Sequence, residues 1–152
     1  MAMKKILFIF LILSIGLMGC EELNTIKRKI NRAHNVSVYA VAISPTAPEA
    51  QDSLKQYILD FEITDTLPVN DTDLAALKKA FVNEDNYDSL HIKRCPFIGS
   101  YAVTFDDKVT AILSKSSCAK IKAKITKKDT LYAFDLSSDN DIYKVLDSLQ
   151  PK

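Results

Sequence analysis

The chain has 152 residues, with 20 lysines and arginines against 19 aspartates and glutamates, a formal charge of +1. That length supports one domain with a buried core, and so even a balance offers no electrostatic footprint for nucleic acid. There is no tryptophan and there are only 3 glycines, which excludes every glycine-rich phosphate loop.

Residues 1–19 open on Met-Ala-Met-Lys-Lys, continue through the apolar run Ile6 to Leu13 and end on Gly19, just before Cys20. A basic start, an apolar run and a small residue at the cleavage point are the parts of a secretory signal. The run is well short of the roughly 20 residues that span a bilayer, so a cleaved signal is the expected reading. Leu17-Met18-Gly19-Cys20 resembles the lipobox of bacterial lipoproteins. The resemblance implies a diacylglyceryl group on the Cys20 sulfur, cleavage after Gly19 and acylation of the new amino terminus. An ordinary secreted protein with a cysteine past its cleavage site is the plainer alternative. A single acyl chain binds a membrane reversibly, whereas several on one residue make desorption negligible. Losing Lys4 and Lys5 with the signal turns the mature charge slightly negative.

Glu21 to His34 carries Leu23, Ile26 and Ile30 at helical spacing, which predicts a short helix or a polar tether over 20–34. A single domain is expected over 35–152. Val36 to Ile43 reads as a strand, Ser44 to Ala50 as a loop, and Tyr57 to Thr64 as one half-buried strand. Asp71 or Thr72 is expected to cap a helix with Leu74, Leu77, Ala80 and Phe81 on its apolar stripe, frayed at Asn83 to Asn86. Tyr87 to Arg94 is a connector. Ser100 to Phe105 and Lys108 to Ser114 form a predicted hairpin turning at Asp106-Asp107. Ala119 to Thr126 and Thr130 to Leu136 follow as strands, and Ser137 or Ser138 is expected to cap a last helix with Ile142, Val145, Leu146 and Leu149. The predicted fold is α+β: an antiparallel sheet of about five to six strands packed by about two to three helices.

Once Cys20 is lipidated, Cys95 and Cys118 remain as an even pair. Export favours a disulfide between them, worth about 3 kcal/mol in the chain-entropy account. Free buried thiols, or redox or metal chemistry, are the alternatives. His34 and His91 are the only histidines. His91 stands four before Cys95, but zinc wants four well-placed ligands and a disulfide would consume two. No metal or other cofactor is expected, and each histidine reads as a lone surface residue. The sequence has no Gly-x-Ser-x-Gly elbow and no His-Glu-x-x-His helix. Asp71, Asp73, Glu84, Asp85 and Asp88 read as caps and solvated carboxylates, and Asp106-Asp107 as a turn. Lys115, Lys120, Lys122, Lys124, Lys127 and Lys128 form the one notable charge cluster. On a strand the even-numbered lysines share a face. That face is either solvated, or a protected edge, or a docking surface for an anionic glycan or partner.

Asn83 to Tyr87, Cys95-Pro96-Phe97, Tyr101 to Phe105 and Cys118 together resemble a loose pattern in a group of small lipoproteins of Bacteroidetes-type bacteria. The resemblance covers about a third of the chain and brings no activity with it. Relatives often end on Cys-x-x-Cys, where this chain has Lys115. Such bacteria O-glycosylate exported proteins at Asp, then Ser or Thr, then an apolar residue. Here that pattern selects Ser53, Thr66, Ser89, Thr130 and Ser148, although these residue types also gather at turns. Glu21-Glu22 after the lipidated cysteine resembles a surface-export signal, so the expected place is the outer membrane, on its periplasmic face or at the cell surface. Non-enzymatic binding or accessory work with an envelope protein partner is the expected function. An inhibitor or immunity-type protein against a secreted factor is the alternative. An envelope hydrolase would need a polar pocket gathering His91 with carboxylates.

Overall fold

The computed structural model describes residues 21–88, 94–115 and 118–150. The expected signal over residues 1–19, Cys20, Ser89 and His91 lie outside them. Residues 21–31 form helix α1. Then come strands β1 (Val36–Val41), β2 (Tyr57–Ile58) and β3 (Phe61–Leu67), helix α2 (Asp71–Val82), strands β4 (Gly99–Phe105), β5 (Val109–Ser114), β6 (Lys120–Ile125) and β7 (Leu131–Asp135), and helix α3 (Asp141–Ser148). The seven strands make one antiparallel sheet in the order β2-β3-β1-β4-β5-β6-β7.

The fold is thus α+β, with more strands than expected. The extra one comes from Tyr57 to Thr64, which is not one strand. Leu59 and Asp60 both take positive φ, 48° and 68°, and turn the chain back so that Ile58 pairs with Phe61. Two successive left-handed residues are the geometry of the tight hairpin turn that matches strand twist. Leu59 is a residue such turns rarely use, so Asp60 alone marks the turn in the sequence. The Asp106-Asp107 turn has the same form, φ 49° and 53°, and was legible because acidic residues announce it.

Strand alternation sends one set of side chains to a helix-covered face. Val38, Val103, Ala111 and Ala123 lie side by side across β1, β4, β5 and β6, all buried. Ile26, Ile30 and Ala33, from α1 and the residues after it, join this core with Leu77, Ala80 and Phe81 of α2 and Ile142 and Leu146 of α3. Phe81 meets Phe105 edge to face at 5.2 Å between ring centres, a favoured aromatic geometry. The segment after Cys20 is therefore helix and core, not tether.

The helix caps differ from the expected ones by one to three residues. Asn70, not Asp71 or Thr72, caps α2: its side chain accepts the Asp73 N–H at 2.9 Å and the Asp73 carboxylate accepts the Asn70 N–H at 3.0 Å. That is a reciprocal capping box with Asp in the place of Glu. Asn140, rather than Ser137 or Ser138, caps α3 by accepting from the Tyr143 N–H. The stretch expected to fray is ordered. Asn86 is 2% exposed, its amide donates to the Ala80 carbonyl at 2.8 Å and accepts the Asp141 N–H at 2.9 Å. A buried amide with its groups satisfied ties α2 to α3.

At the opposite end of α1, the Asp106 carboxylate accepts the backbone N–H groups of His34 and Asn35 at 3.0 and 2.8 Å. The Asn35 bond, ahead of that from His34, holds the Asp106 carboxyl below its ordinary value. A depressed folded-state value contributes stability that is present above the unfolded value of 3.8 and lost as pH falls through the folded one. The melting temperature of the Asp106→Asn variant is therefore expected to fall less steeply than wild type on acidification below about pH 4, as thermal melts at stepped pH would record.

Candidate functional site

Among the described residues, no α-helix packs on the second face of the sheet. Tyr39, Ala102, Ile112 and Lys122 line up across it on β1, β4, β5 and β6. The register of β1 against β3 shifts between Ala40 and Val41, and such a bulge bends and twists a strand. Phe61 and the Leu59-Asp60 turn, from one end of the strand order, and Leu131, from the other, line a single cleft. Pro45, Phe97, Ile112 and Lys122 complete it. Its volume is about 210 Å³.

The walls are held from several sides. Val41, Phe61, Ala102 and Ile112 form a second buried cluster. Phe97 packs edge-on to Phe61 at 6.0 Å, and the Lys122 ammonium sits 4.5 Å from the centre of the Phe97 ring, a cation–π contact. Phe97 is carried by a segment pinned at both ends. Before it, Cys95 is bonded to Cys118, Cα to Cα 6.2 Å. After it, the Ile98 N–H donates to the Ser114 hydroxyl at 3.1 Å and the Gly99 N–H to the Ile43 carbonyl at 2.8 Å. Of the alternatives open in the sequence, the cysteines adopt the disulfide.

Gly99 is required by close approach rather than by backbone angle. A Cβ there would lie 2.6 Å from both the Phe61 ring and the Ala42 carbonyl oxygen. The ring could shift but the backbone oxygen could not. Gly99→Ala is expected to cost about 1–3 kcal/mol through overpacking, read as a lower denaturant midpoint at unchanged slope.

One exposed large apolar side chain lines this cleft, and two more stand close to its lining residues in the sequence. Leu131 lines it at 46% exposure; Ile43, two residues before Pro45, is 68% exposed, and Ile98, next after Phe97, is 38% exposed. The cleft was not foreseen. The sequence features that bear on it are Gly99, the lone glycine after residue 19, and Phe97, two residues after Cys95. Periodicity alone cannot say that Phe61 and Leu131, 70 residues apart, meet.

The lysines expected to share a face do so, and they are individually engaged. Lys120 lies 3.9 Å from Asp135 and Lys124 4.0 Å from Asp129, while Lys122 covers Phe97. Strand β6 is not an edge, since β7 lies outside it. Lys115 leaves the cluster for Asp147, at 2.7 Å. Asp147 also accepts from the Tyr101 hydroxyl at 2.8 Å. Burial, then this bond, pushes the Tyr101 phenol up to about 12, and burial raises Tyr143 as well. Both phenols stay protonated at neutral pH, and the Tyr101–Asp147 bond clamps β4 to α3, whereas the buried Tyr143 hydroxyl makes no hydrogen bond.

The remaining candidates are dispersed. Ser53, Thr66, Thr130 and Ser148 are all exposed, and the Ser148 hydroxyl donates to the Val145 carbonyl at 2.6 Å. His34 is exposed near the Asp106 turn. No group of three or more metal-ligating side chains gathers among the described residues, and none of their helices is long and apolar enough to cross a membrane. A larger groove of about 420 Å³ runs between α2 and α3. Its Lys144 is already paired with Asp139 and Asp141 at 3.1 and 3.0 Å, and it has no aromatic wall. Comparison with protein-family models, with curated proteins and with solved structures finds no match.

Proposed function

We propose that this chain is a lipid-anchored envelope protein that works by binding a protein partner, with the cleft between Phe61, Phe97 and Leu131 receiving one apolar side chain of that partner. The size of the cleft carries this reading. Sites for small organic ligands run to about 300–1,000 Å³, and 210 Å³ suits a single leucine- or phenylalanine-sized anchor. Such anchors in desolvated pockets, ringed by weaker contacts, dominate protein interfaces. The exposed Leu131 in its lining supplies an apolar contact beside the pocket, and Lys122 favours an acidic neighbour on the partner.

The test uses lipidated protein recovered from envelope fractions, wild type beside Leu131→Asp and Lys122→Glu. Both positions are partly exposed, so the fold should survive, which a melting curve checks. A partner retained by wild type and weakened about tenfold or more by Leu131→Asp, corresponding to about 1.4 kcal/mol, supports the reading. Capture that is indifferent to both substitutions sinks it. The partner's identity, envelope component or secreted factor, separates accessory from inhibitory work.

A further inference from the structure

The first described residue, Glu21, is already helical, and it is joined to Cys20 by one peptide bond, about 3.8 Å between α-carbons. Helix α1 is not free to swing. Ile26 and Ile30 are 2% and 0% exposed in the main core. The Lys27 ammonium lies 4.7 Å from the centre of the Tyr87 ring and 3.7 Å from Glu84. At the start of the helix, Glu22 meets Lys128 of the β6–β7 turn at 3.3 Å. That turn adjoins the β4–β5 turn, where the Thr126 N–H donates to the Lys108 carbonyl at 3.0 Å.

We infer that the protein rests on the bilayer by one fixed face, made of the start of α1 with the β6–β7 and β4–β5 turns, and that its disulfide and the Phe61–Phe97 end of its cleft point away from the lipid, while Leu131 marks the near end of the cleft. The inference rests on the reading of Cys20 as the lipidated residue. With no flexible residues between the acylated cysteine and a docked helix, the anchor sets the pose of the domain as well as its address. Charge does not supply the attraction. Lys108, Lys127 and Lys128 on this face are offset by Glu22, Asp107 and Asp129, so the acyl chains hold the protein and the headgroups meet a mixed, hydrated surface. The disulfide, Phe97 and the Gly99–Ile43 contact sit at the opposite strand ends. Strand β6 alone separates the two ends by about 17 Å.

The chain has no tryptophan, so a single introduced one reports cleanly. Asp129→Trp, at a fully exposed side chain in the β6–β7 turn, and Ile43→Trp, at the far end, are compared in lipidated protein reconstituted into phosphatidylcholine vesicles carrying a headgroup nitroxide. Strong quenching of Asp129→Trp with little of Ile43→Trp is expected. A flexible insert of about ten residues after Cys20, with a root-mean-square span of roughly 18 Å, should abolish the difference. Equal or reversed quenching in protein whose mass shows the lipid overturns the fixed pose and leaves the lipoprotein reading standing. A mature mass without lipid overturns both.

Discussion

Ile30→Ala is expected to lower the unfolding free energy by about 2–5 kcal/mol, the range for removing a fully buried branched side chain and leaving part of its space empty. Ile30 is 0% exposed and packs in one cluster with residues of the sheet, α2 and α3. The size of the effect discriminates between two descriptions of residues 21–34. A tether would tolerate the change within about 0.5 kcal/mol, as surface substitutions do. Urea unfolding of the mature chain carrying Cys20→Ser, with and without Ile30→Ala, measures it without interference from lipid. A midpoint unchanged by Ile30→Ala would detach α1 from the core, and the fixed membrane pose would lose its basis.

Removing the disulfide by Cys95→Ala with Cys118→Ala should cost about 3 kcal/mol through the wider freedom of the unfolded chain. That corresponds to a fall in melting temperature of about 10 °C for a domain of this size. Reductant should bring wild type towards the same melting point and leave the double variant unmoved. A second effect follows from position. Cys95 stands two residues before Phe97, whose ring meets Phe61 and Lys122. Loosening that segment is expected to weaken cleft-dependent binding beyond what lost stability explains, visible at temperatures where the variant remains folded. Binding by the folded double variant at wild-type strength would show that the Gly99–Ile43 and Ile98–Ser114 contacts alone hold the wall.

The two cysteines illustrate how much was legible. An exported chain with an even pair points to a disulfide, but not to the aromatic wall it braces. The alternation Ile121, Ala123, Ile125 against Lys120, Lys122, Lys124 sorted the two faces of β6 correctly, because a strand has period two whatever surrounds it. Whether those lysines bordered an edge depended on a neighbour, β7, and so on tertiary order. The capping residues were misplaced because Asn, Asp, Ser and Thr all cap well. At Asp71 and Ser138 the sequence offered several candidates within one turn.

By itself the sequence determined the class of the fold, the helical and strand segments with strong periodicity, the Asp106-Asp107 turn and the expectation of a lipid at Cys20. These depend on local properties: side-chain period, turn chemistry and a short ordered signal. Tertiary structure decided what depends on distance in space. It made α1 part of the core, because Ile26 and Ile30 find apolar partners on other elements. It split Tyr57 to Thr64 into a hairpin, because the bulge in β1 and the packing of Phe61 on Gly99 sustain a left-handed turn that Leu59 and Asp60 would not adopt unaided. It brought Phe61, Phe97 and Leu131 to one cleft, because strand pairing and the segment before β4 set residues far apart in sequence side by side.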